Sequence, residues 1–85
     1  MTNAFESKIA RIFKEKGYYT VVSAGSRGVA DVVAIRPNEI LLIQCKNNGG
    51  LSFDEKQRLK QTASTVNAKG LLATHRNGRI LVKEI

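Results

Sequence analysis

Residues 23–36 read Ser23-Ala24-Gly25-Ser26-Arg27-Gly28-Val29-Ala30-Asp31-Val32-Val33-Ala34-Ile35-Arg36. One turn later the chain continues Glu39-Ile40-Leu41-Leu42-Ile43-Gln44-Cys45-Lys46. A glycine-rich loop thus delivers a single aspartate to the start of an apolar, β-branched run, and the following run closes on Gln-x-Lys. Both runs have strand composition. Pro37 fixes φ at about −65°, which disfavours a primed two-residue turn, so a four-residue loop is expected at Arg36-Pro37-Asn38-Glu39. Either even-length loop puts Asp31 directly across from Gln44, with Lys46 further along on the same face. A three-residue loop would shift that pairing by one. An aspartate facing Gln-x-Lys across two strands is a layout suited to holding a divalent cation against a phosphodiester.

Outward from this pair of strands the chain organises simply. Phe5, Ile9, Ile12 and Phe13 recur at helical spacing and Gly17 follows as a stop signal, which predicts a helix over about residues 4–16. Lys8, Arg11 and Lys14 fall on the opposite face, and Glu6 lies at the edge of the apolar stripe. Tyr18 to Ser23 reads as a strand. Ser52-Phe53-Asp54-Glu55 is a capping box that opens a second helix to about Asn67, with Leu59, Ala63 and Val66 on its apolar side. Gly70 to His75 and Arg79 to Ile85 are strands around Asn77-Gly78, the signal of a type I′ hairpin. The predicted order is αβββαββ, an α/β domain spanning 1–85 with a central mixed sheet flanked by helices.

Composition narrows the function classes. Fourteen Lys and Arg against seven Asp and Glu give the 85 residues a net charge of +7, which favours a polyanionic partner, nucleic acid ahead of a membrane surface. One Cys excludes an internal disulfide and a Cys-rich zinc site, and one His leaves little material for zinc or Ser-His chemistry. The N-terminal residues have no signal-peptide pattern, and no segment approaches the ~18 apolar residues of a membrane span, so a cytoplasmic protein (host cytoplasm if viral) is expected. A chain of this size buries only roughly 60–65% of its unfolded surface, and added burial in a homodimer is expected.

Seven acids are available to a metal. Glu15 and Glu39 read as helix-end and turn residues, Asp54 and Glu55 as first-turn residues favoured by the helix dipole, and Glu84 as terminal. Asp31 and Glu6 remain. Asp31, alone in an apolar run, reads as a metal ligand rather than a turn residue. Gln44 and the backbone carbonyl of Cys45 offer neutral oxygens to a hard cation, the alternative for Gln44 being a sheet-edge amide. Lys46 would stabilise charge on the transferring phosphate, or else is a solvated strand end. For Glu6 two readings stand level, the second side of the site and an exposed helix carboxylate. Gly25 and Gly28 would let the loop approach phosphate, and Ser23, Ser26 and Arg27 would bind DNA backbone oxygens. Lys8, Arg11, Asn47, Gln57 and Arg58 complete the candidate DNA contacts. Cys45 alternates with Ile43 and reads as packing, and His75 as an exposed residue beside a turn.

These residues resemble the PD-(D/E)xK nuclease superfamily and, within it, the archaeal-type Holliday junction resolvases. The similarity covers about residues 5–46, through Phe5-Glu6, Gly17-Tyr18, Val21 to Ser26, Asp31 to Ala34 and Leu42 to Lys46. Leu51 to Gln57 is similar to the segment after the lysine in small phage-type nucleases of the superfamily. The resemblance implies a restriction-endonuclease-like core and Asp31, Gln44 and Lys46 as the central motif, with Glu6 as the helix acid. It also implies Mg²⁺ or Mn²⁺, a branched DNA substrate and a homodimer. Gln44 stands where most members carry Glu or Asp, and Ala30 where the name-giving proline would be. The leading expectation is a metal-dependent DNA endonuclease selective for DNA structure; the alternatives are a DNA-binding module with weak or lost catalysis and an RNA-binding or purely structural basic protein.

Overall fold

The computed structural model describes residues 4–23 and 29–85. Helix α1 (Ala4–Glu15) leads into β1 (Tyr19–Val22), β2 (Val32–Arg36) and β3 (Glu39–Lys46), then helix α2 (Phe53–Thr65), β4 (Lys69–Arg76) and β5 (Arg79–Glu84). This is the αβββαββ order expected from the sequence. The five strands lie in the order β1-β2-β3-β4-β5, with β3 and β4 parallel and every other pair antiparallel. The sheet is therefore mixed, and the single parallel pair is the one whose connection carries a helix, as a parallel crossover requires.

Both helices end on the same device. Gly17, at φ 99°, follows α1; its amide donates to the Lys14 carbonyl and the Tyr18 amide reaches back to Phe13. Asn67, at φ 60°, does the same for α2, with its amide on Ser64 and the Ala68 amide on Ala63. Each is a Schellman motif, and it satisfies carbonyls that the helix end leaves open. The Tyr18 ring then packs edge-on to Phe13 at 5.5 Å between centroids.

Alternation along the strands makes two cores. Phe5, Ile9, Ala10 and Phe13 of α1 pack on Val32, Ala34, Leu41, Ile43 and Ala73 on one face of the sheet. Leu59 and Ala63 of α2 pack on Leu42 on the other, with Val33, Ile40 and Ile85 alongside. A Cβ on Gly70 would stand 3.2 Å from Leu59 Cγ, so the second helix presses directly onto the β4 backbone there. The Asn77-Gly78 turn has both residues at positive φ, 52° and 74°, as a type I′ hairpin needs.

One turn departs from expectation. β2 and β3 are joined by only two residues, since Arg36 pairs with Glu39. The turn is not primed: Asn38 takes φ 62° behind Pro37, the proline-then-positive-φ pattern of a type II turn. Across its mouth Arg36 Nε donates to Glu39 Oε1 at 2.6 Å, and the guanidinium stacks 4.4 Å from the Tyr18 ring centroid. The even loop length preserves the expected register, with Val32 opposite Ile43.

Candidate active site

The site grows from the place where that ladder stops. Asp31 does not extend it by pairing with Gln44. Its amide instead donates to the Ile43 carbonyl at 2.9 Å, one residue short of that partner, while its own carbonyl accepts from Ser23 at 2.8 Å. The side chain completes the step. Asp31 Oδ2 accepts from the Cys45 amide at 2.8 Å, taking a donor that a longer β2 would have met with a backbone carbonyl. Asp31 is buried, with 9% of its surface exposed, and is the only buried charged residue among those described. A carboxylate in that position is tolerable because it has an amide to bind, and the bond occupies one of its two oxygens.

Cys45 feels the charges of two acids. Burial, and then the charges of Asp31 and Glu6, push its thiol up to about 12, so it stays protonated at neutral pH and is neither a nucleophile nor a thiolate ligand. It packs against the α1-side core, as its alternation with Ile43 predicted. Glu6, half-buried in the first turn of α1, is thus the second acid whose charge reaches Cys45.

Lys46 ends β3 and turns the other way. Its Nζ meets Glu55 Oε2 of α2 at 3.0 Å. Glu55 is also the acid of the predicted capping box: its Oε1 accepts from the Ser52 amide at 2.9 Å while the Glu55 amide donates to Ser52 Oγ at 3.1 Å. Sequence reasoning assigned Glu55 to the cap alone. The signal that could have revealed more is the short return Asn47-Asn48-Gly49-Gly50-Leu51, with Gly49 at φ 83°, which brings the start of α2 back beside the end of β3.

Of the candidate DNA contacts, Lys8 and Asn47 come together around a shallow groove of about 280 Å³, shared with Ala4, Phe5 and His75. His75 is half-buried rather than exposed, with its ring 5.6 Å from that of Phe5. Arg11, Gln57 and Arg58 are exposed and Ser23 is half-buried. Gly25, Ser26, Arg27 and Gly28 lie outside the described residues.

Chemically, Asp31, the Gln44 amide oxygen and the Cys45 carbonyl are all oxygen donors, the set a hard divalent cation prefers. No group of three or more His, Cys, Asp or Glu side chains placed to hold a metal occurs among the described residues. Oxygen donors of this kind, with one or two carboxylates and waters, are what a hard divalent cation takes, whereas a closed zinc site draws on Cys and His. No helix among the described residues is long and apolar enough to cross a membrane.

A buried acid beside a strand that ends in Gln-x-Lys, on a mixed sheet with a helix on each face, defines a nuclease-type α/β domain. Comparison with known proteins makes this specific. The family model described as archaeal Holliday junction resolvase (Hjc) matches residues 2–83, and the chain belongs to that family. It is 30% identical over 83 residues to the crossover junction endodeoxyribonuclease Hjc of Methanocaldococcus jannaschii, covering 93% of this chain and 62% of the relative. The chain thus spans under two thirds of that relative's length. The fold is that of Archaeoglobus fulgidus Hjc, with a TM-score of 0.83 at 22% identity over 96% of this chain and 74% of that one.

Proposed function

We propose that this protein is a divalent-metal-dependent DNA endonuclease acting on branched DNA of the four-way-junction type. The observation that carries the reading is the Asp31 carboxylate, buried just before β2 and bonded to the Cys45 amide within the Gln44-Cys45-Lys46 segment. Asp31, Gln44 and the Cys45 carbonyl would hold Mg²⁺ or Mn²⁺, with Glu6 on the α1 side. A bound cation of this kind supplies positive charge against the phosphate and sharpens a water for attack. The chain's own part is to fix the ligands, to place the Lys46 side chain beside the phosphate, and to hold the DNA backbone with Lys8, Arg11, Ser23, Asn47, Gln57 and Arg58. Gly25, Ser26, Arg27 and Gly28 are proposed to complete that contact.

A junction needs two opposed cuts and one chain offers one site, so we assign the working form to a homodimer. Sedimentation at roughly tens of micromolar checks this, on the scale where weak pairs form. A monomer there would favour a nick- or flap-directed enzyme.

The activity is tested with a labelled four-way junction, a flap and a linear duplex, each in Mg²⁺, Mn²⁺ or EDTA. The expected result is cleavage of the branched substrates in either metal and none in EDTA. A second reading, a DNA-binding module with weak or lost catalysis, is favoured by Gln44, which removes a charge from the donor set. Tight junction binding with no cleavage in either metal would select it.

A further inference from the structure

We infer that Glu55 is a positioning residue for Lys46, and that the capping box of α2 is at the same time the anchor of the site's lysine. The inference rests on the endonuclease reading above. Lysine carries a compact charge on a flexible four-carbon stem, so a lysine at a strand end has many rotamers, and few of them aim its ammonium at a phosphate. An ordinary surface carboxylate does little to order such a group, because both partners wander. Glu55 differs in having a second hold on its carboxylate. The Ser52 amide holds Oε1 at 2.9 Å, which leaves Oε2 fixed toward Lys46 Nζ at 3.0 Å. The Glu55 backbone is held in turn by Ser52 Oγ. One carboxylate thus ties the end of β3 to the start of α2 across the Asn47-to-Leu51 return. The arrangement has the form of a fixed outer partner orienting a group that does the chemistry.

The two jobs of Glu55 separate by substitution. Glu55→Gln retains one oxygen for the Ser52 amide but turns a donor, or nothing, toward the Lys46 ammonium. Glu55→Asp keeps the charge on a stem one methylene shorter. Ser52→Ala removes the hydroxyl of the cap yet leaves the backbone amide that holds the carboxylate. For junction cleavage in Mg²⁺, Glu55→Gln is expected to lower kcat about ten- to hundredfold, the usual cost of losing such a partner. KM and junction affinity should stay unchanged, and Glu55→Asp should recover part of the rate. Ser52→Ala should lower the melting temperature but cleave at the wild-type rate well below it. NMR of 15N-labelled lysine on DNA-free protein reads the contact independently: the Lys46 ammonium signal should be protected from exchange in the wild type and lost in Glu55→Gln. A wild-type rate in Glu55→Gln, or an equal loss in Ser52→Ala, would overturn the assignment. A faster Glu55→Gln would also overturn it, since Glu55 would then be holding Lys46 away from DNA. A wild-type chain that cleaves no substrate while the ammonium is protected defeats the endonuclease reading itself, and catalytic positioning with it.

Discussion

Asp31 and Gln44 show how one residue's chemistry depends on a single step in a ladder. The expected cross-strand pair does not form: the Asp31 carboxylate captures the Cys45 amide, and β2 begins one residue late, at Val32. Side-chain competition of this kind is invisible to a register argument, which counts residues and not the acceptors that a carboxylate offers. An aspartate interrupting an apolar run before Gln-x-Lys is conspicuous in sequence, whereas the Glu55–Lys46 contact, nine residues apart, needed the return loop to be seen. Gln44 is, with Ala30, one of the two positions at which the chain departs from the pattern it resembles. If Gln44 belongs to the proposed donor set, Gln44→Glu adds a charge there, and half-maximal cleavage should move to lower Mg²⁺. Melting without metal should also come at lower temperature, because like charges in one small site repel. Titrating Mg²⁺ against rate and melting temperature for both proteins checks the two effects, and no change in either would place Gln44 away from the cation.

At the scale of elements, the capping box at Ser52 and the Asn77-Gly78 turn formed as read, since both depend on contacts within four residues. The Pro37-Asn38 turn did not. Pro37 does exclude a primed turn, but Asn38 accepts positive φ and closes a type II turn, which the longer-loop expectation overlooked. Helix α2 joins the two kinds of evidence, because its first turn is both a local motif and a tertiary anchor. The Glu55 carboxyl is held below its ordinary 4.5, first by the Ser52 backbone amide and then by Lys46. A depressed folded-state value means a stabilising contribution that is present above the ordinary value and lost as pH falls through the folded one. The melting-temperature gap between wild type and Glu55→Gln should therefore persist from neutrality down to about pH 4.5 and close below it. A gap that never narrows as the Glu55 carboxylate is protonated would show that its charge is not what Lys46 and Ser52 hold.

For the whole molecule, a net charge of +7 on 85 residues sets the strength and reach of DNA binding. Lys8, Arg11 and Arg58 are exposed and free to displace counterions from a duplex. About six phosphate contacts would give a log–log dependence of affinity on salt with a slope of roughly −5. Affinity that is flat between low and physiological salt would contradict the electrostatic account. Fold and chemistry meet at the C-terminal end of β3, where Cys45 faces the acids of the α1 side and Lys46 faces the cap of α2. The claim that this strand end is the reaction centre is tested most directly by cleavage of a labelled four-way junction in Mg²⁺, with junction binding measured in parallel. Wild type, Asp31→Asn and Lys46→Ala are the three proteins to compare. The account predicts that each substitution lowers the cleavage rate about 10²–10³-fold, the usual loss for one well-placed charged group, while binding is retained. Wild-type cleavage by either variant would contradict it.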